Sequence, residues 1–473
     1  MTHATSRIMA LRMYFIYLFC YIFPSSGSPF IDQSEERLLS IFSEVKNNLK
    51  IFVYPMPPYV LRCGGSFKHY YRRSFDVELR LPMYIRNSTM YVTDPNVADL
   101  YLIDHEWACL MHDDDAEIKH SREAITSYHL VPIMTNIIYN FSFYNRSGGS
   151  DHLLICVLDQ GPFCGKYVQR YKPDTIKFLS LIENVTIIGN NGIDGKNRLI
   201  LHAEVDQSHA NELIICHRKG KDIVIPQAVD LPYSPTRNKS EVASPAQQRL
   251  QRKAVTYFQG GIFPYLDCSP NIRLKLELYH KHIHRKEPAM RDIHLFQRGS
   301  FLESTFGLCP AGYACWSARL YHSLAEGCIP VILADPIILP FERFINWSTF
   351  SVKYMTNTNP DKDKIDIRAQ RYIPPTLGNA IDTVEPLFTH LRYMAANESE
   401  AIYKKQESIR MVHRWLSWPF YRNHSAEEDG DEKGDLRSAY SLVMLELWCR
   451  TAKGRDHASC LRSVSNVAQR GYY

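Results

Sequence analysis

Short, continuously apolar runs alternate along the chain with longer stretches whose apolar residues recur every three or four positions. The runs Ile51–Tyr54, Leu100–Ile103, Leu153–Leu158, Val185–Ile188, Ile223–Ile225, Val255–Phe258 and Ile329–Ala334 carry apolar residues on both faces, the pattern of strands inside a covered parallel sheet. SEERLLSIFSEV, ahead of the first run, predicts an amphipathic helix, and Leu436–Cys449 predicts another near the C-terminus. Strands that alternate with helices predict an α/β fold rather than an all-β sandwich. No internal repeat is visible.

The densest local signal is Thr305–Asp335, which reads as strand, small-residue loop, short helix and second buried strand. The loop holds Gly307, Pro310, Gly312 and Ala314, Ser317 stands at the N-cap position, and Gly327 ends the helix. Asp335 closes the last strand at its carboxyl end, where ligands collect in open α/β sheets. Arg319, His322 and Glu326 fall at i, i+3 and i+7 and share a face, with Leu320, Tyr321 and Leu324 largely opposite. One reading is a diphosphate on the helix N-terminus clamped by Arg319; the other is a solvated polar face. Gly260 and Gly261, directly after a strand, either let the backbone approach a phosphate or make an ordinary turn.

The block from Phe306 to Val352, with its C-P-x-G loop, S-x-R-L helix start, GCIPVI strand and LPFE…W..FSV, resembles the exostosin family, glycosyltransferase family 47. Weaker echoes follow the family's order at Lys50–Pro58, Ala98–Ile103, His152–Pro162, Asp222–Pro232 and Arg252–Gly261. The resemblance implies a GT-B-like architecture, two Rossmann-like domains facing a cleft. It also implies sugar transfer with inversion from a nucleotide diphosphate sugar to a growing glycan. The chain departs from the family at Ala311, where the loop often carries Arg, and at His322, where relatives commonly have Glu, with Glu326 one turn later. Those departures leave room for a catalytically weak relative that binds glycan or a partner transferase.

On this reading Gly260, Gly261, Gly312, Ser317, Arg319, His322, Glu326 and Asp335 are the candidates for donor binding. Asp159 and Asp104 are the candidates for the base, because each follows an apolar run whose carboxyl end would face the cleft. His105 and Glu106 adjoin the second of them. Asp113–Asp115 contains a D-x-D pattern, but acidic residues at a helix start need no metal to explain them. GT-B enzymes usually stabilise the leaving group with helix dipoles and basic side chains, so no cofactor is expected and a divalent metal is not expected to be essential. His282 and His284 make no metal site without further ligands.

Composition adds limits. With 473 residues, 45% hydrophobic and 22% charged, the chain can bury substantial cores. A net charge of +5 suits anionic nucleotide sugars or acidic glycans but lacks the concentrated basic footprint of a nucleic-acid binder; KHIHRK at Lys281–Lys286 is its densest basic cluster. Arg7 and Arg12 precede the apolar run Met13–Phe23, so residues 1–29 read as a signal peptide or a signal anchor. The expected location is the Golgi or endoplasmic reticulum lumen, as a type II membrane protein, or secreted if the leader is cleaved. Glycosylation sequons at Asn87, Asn140, Asn145, Asn184, Asn238, Asn346, Asn397 and Asn423 agree with that compartment. Twelve cysteines include the sequence-near pairs Cys63 with Cys109, Cys156 with Cys164, and Cys449 with Cys460, while Cys309 and Cys328 read as buried thiols or a local bridge. The organisation expected is a stem helix at 30–49, an acceptor-side domain at 50–235, a linker at 236–251, a donor-side domain at 252–424, and an acidic loop and helix at 425–473 that cross back to the first domain. Association with itself or with another transferase is left open.

Overall fold

The computed structural model describes residues 29–30, 35–60, 63, 75–111, 122–158, 173–190, 192, 217–229, 252–262, 271–286, 292–296, 299–312, 316–334, 337–354, 376–419, 436–455 and 460. The leader, the 236–251 linker, the Asp113–Asp115 run, the acidic 425–435 loop, Asp159 and Asp335 lie outside the described residues.

Helix α1 (Glu35–Asn48) turns Leu38, Ile41, Phe42 and Val45 inward and leads to β1 (Ile51–Val53). Next come α2 (Val77–Arg86), β2 (Leu100–Ile103) and the short α3 (Trp107–Met111). A π-helical turn, Thr126–Leu130, runs into α4 (Val131–Asn140), then α5 (Ser142–Ser147) and β3 (His152–Ile155). Helix α6 (Pro173–Leu181), β4 (Thr186–Gly189) and β5 (Ile223–Val224) complete a parallel sheet ordered β1-β2-β3-β4-β5. Every strand in it is buried on both faces, which is why the runs read as unbroken apolar segments.

The second sheet contains β6 (Ala254–Phe258), β7 (Ile293–Leu295), β8 (Ser304–Pro310), β9 (Ile329–Leu333) and β10 (Val352–Lys353). It is also parallel, but its order is β10-β9-β8-β6-β7. From β6 the chain steps one way to β7 through α7 (Ile272–Lys286), then returns on the other side of β6 through β8, α8 (Ala318–Ala325) and β9. Right-handed crossovers therefore put α7 and α8 on opposite faces and open a crevice at the carboxyl ends of β6 and β8. The first sheet is wound in one direction and has no such reversal.

Helices α9 (Leu377–Asn397), α10 (Ser399–Val412) and α11 (Ala439–Trp448) follow. Carboxyl ends of the two sheets meet: Ile338 N–H, beyond β9, donates to Gly192 O, beyond β4 (2.5 Å). The fold is thus α/β with two parallel sheets, as expected of a GT-B-like protein. Trp418 Nε1–H donates to Pro226 O just after β5 (3.0 Å), and α11 returns to pack on α1, with Tyr440 edge-on to Phe42 and Tyr84. Arg450 donates to the carbonyls of Gly220 (2.9 Å), Lys221 (2.5 Å) and Asp222 (3.2 Å).

Disulfides join Cys63 to Cys109 and Cys449 to Cys460. Cys309 and Cys328 are buried thiols rather than a bridge. Cys156 is buried, and Cys164 lies outside the described residues. Among the described residues no helix is long and apolar enough to cross a membrane.

Candidate active site

Two arginines meet at the crevice between β6 and β8. Arg319 is the second residue of α8 and Arg273 the second residue of α7, so each stands in the first turn of a helix leaving that crevice. Arg319 Nε–H donates to Gln259 O (2.7 Å), just past β6. Arg273 is 2% exposed; its Nε–H donates to Ala311 O past β8 (2.8 Å), and its Nη1–H to Gly261 O (2.9 Å). Both guanidiniums lie against the Phe258 ring, 5.3 Å from its centroid for Arg319 and 5.8 Å for Arg273.

These contacts stitch Gln259–Gly261 to Ala311–Gly312 and give Gly260 a specific reason to be glycine. A side chain there would collide with the Arg319 guanidinium and crowd Phe258. Ser317 sits at the N-cap in extended conformation but makes no side-chain cap bond; its Oγ accepts from Arg319 Nη1 instead (3.4 Å). The expected use of Ser317 as a cap is therefore corrected. Its hydroxyl is turned to Arg319, and the first-turn amides of α8 are not capped by it.

The pKa shifts report the same concentration of positive charge. Burial and then the neighbouring Arg319 bring Arg273 down to about 10, which leaves it charged at neutral pH. Burial and then Arg319 also hold His322 below the ordinary imidazole value. An anion in the crevice would oppose the Arg319 contribution to both shifts.

Glu326 is not brought to this cluster. It is the C-cap residue of α8, and its Oε2 accepts from Leu302 N–H ahead of β8 (2.9 Å), at the opposite end of the helix from Arg319. Burial raises its pKa, opposed by the Leu302 bond and Arg252. Sequence reasoning placed Glu326 on the right face, but one helix length from the crevice. It missed Arg273, although a signal existed: an arginine in a helix's first turn opposes the dipole and calls for a reason.

On the first sheet, Asp104 past β2 pairs with Arg86 (2.7 Å) and is 12% exposed. Glu106 Oε2 accepts from Cys63 N–H (2.5 Å), held in place by the Cys63–Cys109 bridge. Behind them lies a buried polar group. Glu78 Oε1 accepts from Ala108 N–H (2.6 Å), so it serves as an N-terminal cap for α3, and His105 Nδ1 accepts from Trp107 N–H (3.2 Å). Burial raises Glu78 well above the carboxylate range and lowers His105 to about 3, so their 3.9 Å approach is between neutral groups.

A doubly wound parallel sheet with a basic, backbone-lined crevice at its strand reversal defines a nucleotide-binding α/β protein. Residues 45–366 match the family model described as the Exostosin GT47 domain, and the chain belongs to that family. It is 25% identical over 353 residues to a probable beta-1,4-xylosyltransferase of Arabidopsis thaliana, covering 71% of this chain and 77% of the relative. A probable glucuronoxylan glucuronosyltransferase from the same plant is 24% identical over 385 residues, covering 76% and 72%. A probable glucuronosyltransferase of Physcomitrium patens is 25% identical over 369 residues, covering 76% and 74%. The chain is accordingly a glycosyltransferase acting on a nucleotide sugar and a glycan acceptor.

Proposed function

We propose that this glycosyltransferase works in the secretory pathway and transfers glucuronic acid or xylose, with inversion, from a nucleotide diphosphate sugar to a growing polysaccharide. The observation that carries the reading is the pair of guanidiniums on two helix starts at the β6–β8 crevice. As the sugar–phosphate bond breaks, charge accumulates on the departing diphosphate. Arg319, Arg273 and the α8 amides are fixed by main-chain and ring contacts before that charge develops, so they stabilise it without rearrangement. They provide positive charge that many transferases take from a metal, and we infer that an added divalent ion is not essential. Gly312 follows Ala311 in the loop, His322 stands one turn after Arg319 as a neutral imidazole, and Asp335 is retained from the sequence reading alone.

For the base, Asp104 and Asp159 remain the candidates. Asp104 Oδ2 is already engaged by Arg86 (2.7 Å).

The test is nucleotide release by the purified chain from a panel of nucleotide sugars, with and without chelator, alongside Arg319→Ala and Arg273→Ala. Release confined to glucuronosyl or xylosyl donors, unaffected by chelation and reduced about 100-fold or more by either substitution, is expected. Release from other donors alone, or full activity in both variants, overturns the proposal.

A further inference from the structure

Asn238 and Asn423 lie outside the described residues; the other six sequons divide by position in the fold. Asn87, Asn140, Asn145, Asn184 and Asn397 are all exposed. Asn87 is the C-cap of α2, and the adjoining Met90 O accepts from Ile51 N–H at the start of β1 (2.8 Å). Asn140 ends α4, and Asn145 lies in α5, whose following turn feeds β3 through His152 N–H to Gly149 O (3.1 Å). Asn184 lies two residues before β4. Asn397 ends α9, the helix that reaches Asp292, just ahead of β7, through Arg392 (2.8 Å). All five therefore lie toward the amino ends of the strands, opposite the carboxyl ends that face the crevice.

We propose that these five asparagines carry N-linked glycans, and that their oligosaccharides cover the amino-end face, opposite the crevice. The inference rests on the secretory-pathway reading above. In the modification, Asn Nδ2 forms a bond to the anomeric carbon of a lipid-diphosphate oligosaccharide. The carbon–oxygen bond to the diphosphate breaks, the lipid diphosphate leaves with the electron pair, and one amide proton is released. A primary amide has two N–H bonds, so the single bonds donated by Asn140 to Asn136 Oδ1 (2.7 Å), Asn145 to Ile138 O (3.1 Å) and Asn397 to Tyr393 O (3.0 Å) survive the change.

Asn346 differs. It is half-buried, its Oδ1 accepts from Ser348 Oγ (2.8 Å), and its backbone N–H donates to Pro29 O (2.7 Å), where Phe30 bridges Ile345. A glycan at Asn346 would press on that docked N-terminal segment, so the folded protein leaves Asn346 unmodified.

The experiment uses the full chain made in a secretory eukaryotic cell. Enzymatic deglycosylation in heavy-oxygen water marks each formerly glycosylated asparagine as a labelled aspartate, read by peptide mass spectrometry, and protease protection of intact microsomes reports lumenal entry. Label at the five sites and none at Asn346 is expected, each Asn→Gln change removes one step of gel mobility, and deglycosylated protein retains its donor hydrolysis. A protected chain without label at these sites, or with label at Asn346, overturns the assignment. A chain that is digested outside the microsomes and unlabelled overturns the compartment reading, and the glycans with it.

Discussion

At Gly260 a single missing methyl group decides where a guanidinium rests. Alanine there would push Arg319 off Gln259 O and the Phe258 ring without removing any charge. Gly260→Ala is expected to lower nucleotide release to near the level of Arg319→Ala, which steady-state kinetics with the preferred donor will show. Glu78 offers a separate test. Its folded pKa is raised, so above about pH 4.5 the unfolded chain loses this proton while the folded chain keeps it, and stability falls as pH rises by up to about 1.4 kcal/mol per unit. Glutamine does not titrate and keeps the acceptor oxygen for Ala108. Glu78→Gln should therefore gain stability relative to the parent as pH rises above about 4.5, measured as the difference of their denaturation midpoints. Individual residues were unevenly legible: Arg319 and Gly260 stood inside motifs, but Arg273 sat in a helix resembling any basic amphipathic one. Only the strand reversal brings it across to Ala311.

Among elements, α8 is the clearest case of sequence writing structure. Leu320, Tyr321 and Leu324 are buried and Arg319, His322 and Glu326 partly exposed, as the spacing requires. Gly327 ends the helix at φ +64°, and Arg252 donates to both Glu326 O (3.0 Å) and Gly327 O (2.9 Å). Gly327→Ala is expected to cost about 1 kcal/mol or more in urea unfolding while leaving the donor preference unchanged. The tail of the motif has a different task from its head. Glu342 accepts from Leu339 N–H (2.9 Å), Trp347 Nε1–H donates to Pro340 O (2.8 Å), and Lys405 donates to Ser348 O (2.7 Å) and Ser351 O (3.2 Å). LPFERFINWSTFSV is thus a packed turn behind the sheet, whereas C-P-x-G and S-x-R-L form the crevice. Spacing alone could not separate those roles, because both halves are rich in the same apolar residues.

For the whole molecule, the two sheets are joined by what comes after them. Trp415 Nε1–H donates to Glu35 Oε1 (3.0 Å), Trp418 holds Pro226, and Tyr321 on α8 meets the backbone of Gln227. Trp418→Ala is expected to cost about 3–5 kcal/mol and to split one calorimetric transition into two, since it removes a buried indole from the seam between the sheets. Most strand runs were readable from apolar periodicity, while the two-domain plan came from the family resemblance and β7 was not foreseen. The winding of each sheet was not, since strand order depends on crossovers that leave no mark in local pattern.

Helix α1 and helix α11 close on each other from opposite ends of the chain. About 390 residues separate them. At roughly 5–20 residues per second, the ribosome delivers α11 some 20–80 s after α1 has emerged. Throughout that interval the face of α1 that α11 covers, Phe42 included, is without that partner and presents apolar surface of the kind that holding chaperones bind. Completion of the first lobe therefore waits on the end of translation, and a chain terminated before α11 is expected to be retained and degraded, which pulse–chase of such truncations will show.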